Sequence, residues 1–510
     1  MDTSPDRYDL IVLGGGPGGA TLASFVAMKG HRVLLLEEEH FPRHQIGESL
    51  LPATIHGVCA MLGLSDAIAE AGFTRKRGGT FRWGKSQETW EFTFTKSDAD
   101  PYGYAYQVER DRFDELLLRN AARKGVEVRE GHKALELLRE GDRVTGVRYR
   151  DDAGQERVAR ARFVGDASGH RSRGVVGERV YSRFFQNVAL FGYYEGGRRL
   201  PPPNDGNILC AAFRDGWFWH IPLSGGMTSV GAVVSREAAE EMKHGHDEAM
   251  RRYVKQCPII DDLLAGATRV REGPYGALRV RKDYSYCNTR FWAPGIALVG
   301  DAACFIDPVF SSGVHLATYS ALLAARSINT CLRARLDEDR CFHEFETRYR
   351  REFGNFYQFL MAFYDMNQDA DSYFWSARKI VNTEERDNDA FVRLVAGRSQ
   401  VDEPAFYGGR EFFDAREGFG SWMEQTLNPT PTPGTRRRPR VTPRKLAGGF
   451  DASEFMAGFT QEIAQLQLQA RLGERRGGEA PLLSDGLIPS SDGLEWREAS
   501  AAPSTTVGRL

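Results

Sequence analysis

Three glycines, Gly14, Gly16 and Gly19, are spaced G-x-G-x-x-G, and Glu37 follows them by about the length of one helix and one strand. Glycine at such positions lets a backbone turn tightly and approach a pyrophosphate. The helix that follows adds N–H groups and the positive end of its dipole. A carboxylate at the end of the next strand can accept hydrogen bonds from the adenosine ribose. Two later carboxylates repeat the theme, in Asp166-Ala-Ser-Gly169 and in Gly300-Asp301-Ala302. A Gly-Asp after a buried strand can present its carboxylate to a ribityl chain, and the small residues beyond it admit a flat ring system. Further chemistry is offered by two tryptophans two apart, Trp217 and Trp219, which on a strand share one face. The stretch Asp307-Pro-Val-Phe310-Ser311-Ser312-Gly313 precedes a helical pattern and could hold an anion on its N–H groups.

These residues need particular elements to carry them. Tyr8–Leu13 reads as a buried parallel strand, Pro17–Lys29 as a helix with proline near its start, and Arg32–Glu38 as a second strand, a βαβ opening. Ala161–Gly165 and Gly295–Gly300 are further buried-strand candidates. Between them Asn187–Tyr194, Asn207–Phe213, Trp217–Leu223 and Met227–Ser235 are strand-length runs punctuated by turn residues. They read as an antiparallel sheet inserted into the nucleotide-binding fold. Val314–Leu336 and Cys341–Phe363 have helical patterning that continues through Trp375.

The helix opened by Gln107-Val-Glu-Arg110, the Asp166 turn and the late Gly-Asp, in this order, resemble the aromatic-hydroxylase-like class of FAD proteins. A second fingerprint for NAD(P)H is absent, so reducing power is expected to arrive as FADH2 from a separate flavin reductase. Trp217-Phe-Trp219-His-Ile221-Pro222 matches W-x-W-x-I-P, and with it roughly residues 5 to 400 are similar to the flavin-dependent halogenases. That resemblance implies use of FAD with dioxygen and chloride or bromide. It casts Lys76, just before a Gly-Gly and a strand, as the residue that handles hypohalous acid, and prefers it to Lys85. An ammonium donates strongly to that acid, and a desolvated amine could instead form a haloamine.

The resemblance implies further roles. Trp217 and Trp219 would keep substrate from the flavin, and Glu48 in Arg43-His-Gln-Ile-Gly-Glu48-Ser49 would link the flavin site to Lys76. Arg43, Ser49, Arg110 and Asp301 would join Gly14, Gly16, Gly19 and Glu37 at the cofactor, and Ser311, Ser312 and Gly313 would hold the halide. Tryptophan-specific members carry a glutamate where Phe310 stands, so an activated phenol or pyrrole is favoured over indole. The expected substrate is a tyrosine-derived phenol, either free or joined to a carrier protein. A flavin monooxygenase and a non-catalytic flavoprotein are the rival readings.

The expected fold is α/β, a glutathione-reductase/aromatic-hydroxylase-like FAD-binding fold with an inserted antiparallel β-sheet substrate domain and a C-terminal helical region. The boundaries read from the pattern are 1–75, 105–175 and 285–345 for the FAD part, 76–104 and 176–284 for the sheet, and 346–427 for the helices. Residues 428–510 read as a Thr-Pro and arginine-rich linker to Lys445, an amphipathic helix over Asp451–Leu472, and a disordered tail. Of the 510 residues 41% are hydrophobic, and the net charge is −2, which gives no reason to expect nucleic acid or an anionic membrane as partner. No secretory leader is visible and the seven cysteines are scattered, which suggests a reducing cytoplasm, buried thiols and no metal site.

Overall fold

A computed structural model describes residues 7–83, 89–94, 101–172, 175–365 and 486–498. Strand β1 (Arg7–Leu13) pairs in parallel with β2 (Val33–Leu36) on one side and β10 (Glu156–Asp166) on the other. Leu10 through Leu13 are all buried, as expected of a strand covered on both faces. The sheet runs β17 (Trp292–Ala293), β18 (Ile296–Leu298), β10, β1, β2, β7 (Glu127–Arg129). Antiparallel strands β8 (Lys133–Glu140) and β9 (Arg143–Arg150) extend it from β10. Helix α1 (Pro17–Ala27) crosses from β1 towards β2 and packs on α3 (Arg110–Arg123) and α6 (Gly313–Leu332).

A second sheet of nine strands carries Trp217 and Trp219. Its order is β19 (Cys304–Phe305), β16 (Arg279–Asn288), β11 (Arg179–Glu195), β14 (Met227–Val234), β13 (Gly216–Pro222), β12 (Ile208–Phe213), β4 (Gly78–Arg82), β5 (Trp90–Thr93). β15 (Thr268–Arg269) pairs beside β11, and every pairing is antiparallel except that of β12 with β4. Alternation along β13 sorts its faces: Phe218 packs with Leu209, Val230, Tyr253 and Ile260 under helices α4 (His246–Gln256) and α5 (Pro258–Leu263). Trp217, Trp219 and Ile221 turn the other way, into the core shared with the first sheet. A two-stranded ladder of β3 (Thr74–Lys76) with β6 (Ala105–Gln107) joins the two sheets. Before it come a π-helical turn, Ala53–Cys59, which Pro52 caps, and the short α2 (Ser65–Glu70).

Helix α7 (Glu338–Asp365) packs along α6. The expectation of a disordered tail is corrected between 486 and 498. There β20 (Leu487–Pro489) and β21 (Trp496–Glu498) form a hairpin whose Trp496 is buried. One indole and two leucines, Leu487 and Leu494, anchor a stretch whose average composition is polar. The hairpin of β8 and β9 is likewise absent from the sequence reading; its Lys, Glu and Arg residues give it no apolar run. Lys85, Trp375, the linker at 428–445, the 451–472 helix and the helical region past 365 lie outside the described residues. All seven cysteines are buried and unpaired, as core thiols should be. Among the described residues no helix is long and apolar enough to cross a membrane.

Candidate active site

One cavity of about 720 Å³ runs from the glycine turn after β1 to the tryptophans of β13. That is enough for a large cofactor. Gly14 adopts φ +98°, and a Cβ on it would press on the Ala167 carbonyl at 2.6 Å. Gly16 and Gly18 line the cavity. Gly19 does not; a Cβ there would strike the Gly14 carbonyl, so Gly19 serves the close packing of helix on strand. The first turn of α1 has no acidic residue and no side-chain cap, which leaves its amides and dipole to an incoming anion. Arg43 stands over Gly16, where a Cβ would lie 3.4 Å from its Nη2, and pairs with Asp114 at 3.3 Å.

Glu37 lies at the end of β2, where its carboxylate accepts the Gly15 N–H at 2.6 Å and the Glu39 N–H at 2.9 Å. A carboxylate offers about four acceptor positions, so the edge facing the cavity can still take ribose hydroxyls. Asp301 is partly exposed on the cavity wall, 3.2 Å from His170 Nε2. Arg110 also lines the cavity, but its guanidinium is spent on Asp114 at 2.7 Å and on the Ile46 and Gly47 carbonyls. It therefore braces the Gly47-Glu48-Ser49 turn. The Glu37 and Asp301 carboxylates, Arg43, the open glycine turn and the cavity size fit a flavin dinucleotide.

Lys76, at the end of β3, is buried just behind the cavity wall. Its Nζ donates to Ser49 Oγ at 2.9 Å and the Leu50 carbonyl at 3.0 Å, and reaches Ser311 Oγ at 3.5 Å. Ser49 and Ser311 line the cavity, so the amine touches the wall from the other side. Among the described residues no carboxylate joins it, and burial pulls its pKa down to about 7. Phe94 lies 5.3 Å from Nζ, and Phe81 and Phe310 meet at 6.4 Å.

Ser311 holds the left-handed conformation, φ 60° and ψ 26°, directly before α6. Gly313 opens the helix, and a Cβ on it would meet nothing within 4 Å. Ser311 and Gly313 line the cavity, whereas Ser312 is buried away from it. The Trp217 and Trp219 rings are 6.2 Å apart on the cavity wall. Trp219 Nε1 donates to Ser229 Oγ at 3.1 Å. Trp217 Nε1 donates to Tyr364 Oη at 2.7 Å, and that hydroxyl donates to Asp307 Oδ2 at 2.8 Å.

Glu48 is buried on the cavity wall and accepts from Tyr193 Oη at 2.7 Å. Burial raises its carboxyl to about 7 against the lowering pull of Tyr193, Ser229 and Arg110. Sequence reasoning misses Tyr193, Tyr364 and Asn207 as site residues, and it reads Asp307 only as the start of the anion-holding stretch, not as the acceptor of the Tyr364 hydroxyl. Asn207 Oδ1 accepts the N–H groups of both Arg77 and Gly78, at 3.1 and 2.8 Å, directly after Lys76. Turn-type Asn residues carry no signal for such long-range pairing, although the Asn204–Asn207 spacing does suggest a turn.

The family model described as tryptophan halogenase matches residues 9–102 and 95–433. The chain is similar to tryptophan 2-halogenase of Chondromyces crocatus, 34% identical over 408 residues that cover 77% of this chain and 76% of that protein. Among solved structures it is similar to the myxobacterial chondrochloren halogenase CndH, 60% identical, with a TM-score of 0.76 over 97% of this chain and 100% of the other. It is also similar to the flavin-dependent halogenase CmlS, 28% identical, with a TM-score of 0.72 over 96% of this chain and 84% of the other.

Proposed function

Because this chain belongs to the flavin-dependent halogenase family, we propose that it chlorinates a phenolic, tyrosine-derived ring, free or joined to a carrier protein. The observation that carries the reading is Lys76. A buried amine with no carboxylate partner among the described residues donates to Ser49 on the cavity wall, reaches Ser311 there and lies 5.3 Å from the centre of the Phe94 ring. The enzyme uses FAD, a halide and dioxygen. Reduced FAD with dioxygen supplies the oxidant that turns halide into hypohalous acid.

Each residue then has a task. The first turn of α1 and Arg43 would hold the pyrophosphate, Glu37 the ribose, and Asp301 the ribityl end. Arg110, Glu48 and Ser49 would shape the turn beside the ring system. The amides at the start of α6, with Ser311 and Gly313, would keep halide at the cavity edge. Trp217 and Trp219 fill the wall so that the substrate ring stays off the flavin, which disfavours direct hydroxylation. Lys76 Nζ would receive hypohalous acid and aim it at the carbon ortho to the phenol oxygen. A pKa near 7 makes both the ammonium and the amine accessible at neutral pH. The phenol supplies most of the activation, so the protein contributes placement and exclusion of water.

Phe310 and the 60% identity to the chondrochloren halogenase support a phenol. The similarity to a tryptophan 2-halogenase supports indole as the second reading. A flavin reductase is expected as partner. Mass spectrometry of tyrosine, a tyrosyl-carrier protein and tryptophan, each incubated with enzyme, reductase and chloride, separates the readings. Chlorinated tyrosine or tyrosyl-carrier protein supports the proposal; chlorinated tryptophan alone overturns it. A hydroxylated product that forms without halide would point to a monooxygenase, and no turnover of any ring in chloride or bromide to a non-catalytic flavoprotein.

A further inference from the structure

Two of the buried thiols face each other at the edge of the nine-stranded sheet. Strand β19 pairs with β16 so that Cys304 lies opposite Cys287 and Phe305 opposite Tyr286. The Asn288 N–H donates to the Ala303 carbonyl at 2.9 Å, which makes the adjacent Cys287–Cys304 position a non-hydrogen-bonded pair. Side chains of such a pair are at their closest, with Cα atoms about 4.5 Å apart. A disulfide forms across Cα separations of about 4.4–6.8 Å, so a bridge here asks for side-chain rotation and little backbone movement.

The pair stands directly behind the cofactor cavity. Asp301 and Phe305 line the cavity wall, and Cys304, next to Phe305 on the strand, points to the opposite face. There Arg350 of α7 donates from Nη1 to Cys287 Sγ at 3.4 Å and from Nη2 to the Asn288 carbonyl at 2.9 Å. Burial pushes the Cys287 thiol up to about 11 against the pull of Arg350, and holds Cys304 well above its ordinary value. Both are therefore neutral thiols, which react more slowly than thiolates. Cys210 adjoins Lys76, but its cross-strand neighbours are Trp219 and Phe81, so no second thiol stands opposite it to close a bridge. Cys331, in the last turn of α6, neighbours Cys341 of α7. That pair lies roughly 27 Å along the helix from Gly313.

We propose that Cys287 and Cys304 are a self-oxidation site, where hypohalous acid left unused by the substrate is consumed in closing a disulfide, a role that rests on the halogenase reading. One thiol takes the chlorine of hypochlorous acid as a sulfenyl chloride, and its proton leaves with the oxygen as water. The second sulfur then displaces chloride and releases its own proton as the sulfur–sulfur bond forms. In sum, hypochlorous acid and two thiols give a disulfide, water, chloride and a proton. The two sulfurs together lose two electrons and chlorine gains them. Slow neutral thiols suit such a sink, because a ring held at Lys76 competes first for the oxidant. The bridge is reversible by exchange with a small dithiol, whereas oxidation of a solitary thiol such as Cys210 runs on to acids that are not.

The test runs the FAD-loaded enzyme with its reductase, dioxygen and chloride but no aromatic ring, then maps thiols by differential alkylation and peptide mass spectrometry. A Cys287–Cys304 cross-link should appear, reopen with dithiothreitol, and be at least about tenfold scarcer in a halide-free arm, where dioxygen ends as hydrogen peroxide. Both thiols still open after turnover in chloride, or equal bridging without halide, would overturn the site. So would oxidation confined to Cys210, or a bridge at Cys331 and Cys341 in its place. A parallel sample with a diffusible amine reads hypohalous acid directly. Chlorinated amine beside open thiols overturns the site alone, whereas no chlorinated amine means that the halogenase reading has failed and the site with it. Cys304→Ala, which cannot close the bridge, should lose halogenating activity in at least about twofold fewer ring-free turnovers than wild type. Equal loss in the two proteins would overturn the role as a sink, and the mapping on wild-type protein decides the site whether or not the variant folds.

Discussion

The indole of Trp219 occupies the space where Gly231, its cross-strand partner on β14, would carry a side chain. A Cβ on Gly231 would fall among the Trp219 ring atoms, so this glycine is the condition for a tryptophan at the cavity wall. Gly231→Ala should cost about 1–3 kcal/mol through overpacking, read as a lower unfolding midpoint. It should also lower the halogenated product formed per FADH2 consumed, since the displaced ring opens the wall. Combining it with Trp219→Phe should recover part of the lost stability. A double variant no more stable than additivity predicts would show that the two do not compete for space.

Lys76 links stability to pH in an unusual direction. Its pKa falls from 10.5 in the unfolded chain to about 7 in the fold, so between those values the unfolded state binds more protons. Stability from this group therefore rises with pH from about 7 to 10.5. Below pH 7 the fold bears the full penalty of a buried ammonium, on the order of 5 kcal/mol. Lys76→Met should thus abolish halogenation and stabilise the flavin-free protein, with the gain largest near pH 6 and shrinking towards pH 10. Glu48 contributes its own slope at lower pH, between 4.5 and about 7. Subtracting wild type from Lys76→Met removes that shared contribution. Urea unfolding of both proteins at several pH values measures the difference, and a flat difference would refute the depressed pKa.

Much of this arrangement is legible in the chain because the deciding features are local. Leu10–Leu13, the glycine turn and Pro17 announce strand, turn and helix within a dozen residues. Period-two alternation sends Trp217 and Trp219 to one face wherever β13 lies. The partners that complete the site come from far away in sequence. Tyr193 meets Glu48 across 145 residues and Tyr364 meets Trp217 across 147, and no local pattern encodes such pairings. Arg110 reads as a cofactor contact from its helix start, yet its fork faces Asp114 one turn on. Trp496 escapes notice because its neighbours average to a disordered composition, although one indole with Leu487 and Leu494 suffices to anchor a hairpin.

Asn207 should act on Lys76 without touching it. Its Oδ1 accepts from Arg77 and Gly78, and its Nδ2 donates to Asn204 Oδ1 at 2.9 Å, whose own Nδ2 reaches Glu91. Asn207→Leu removes the acceptor of the buried Gly78 N–H, a loss of about 1–3 kcal/mol, and that of the part-buried Arg77 N–H, which costs less. Asn207→Asp keeps the acceptor and should lose less. If the residue positions the lysine, kcat falls in Asn207→Leu, recovers partly in Asn207→Asp, and KM for the ring changes little. Equal kcat in the two variants would assign Asn207 to stability alone.

Trp496 is the test of whether the C-terminal hairpin belongs to the catalytic body. Its Nε1 donates to Ser327 Oγ at 2.9 Å and its N–H to Thr330 Oγ1 at 2.8 Å, both on α6. Arg326 and Arg348 lie over the ring at 5.1 and 5.2 Å, and Arg326 Nε also donates to the Gly493 carbonyl at 2.6 Å. The hairpin therefore ties the later turns of α6 to α7, while the first turn of α6 carries Gly313 at the cavity. Trp496→Ala should cost about 3–5 kcal/mol, the usual range for a buried aromatic, and Trp496→Phe less. Because the hairpin is far from the glycine turn, FAD affinity at low temperature should be nearly unchanged in both. Halide affinity should fall in Trp496→Ala if α6 moves as a unit from its tied end to Ser311. Thermal unfolding with halide titration of the reduced enzyme reads both effects. An unchanged melting temperature would mean that the hairpin packs on α6 without holding it.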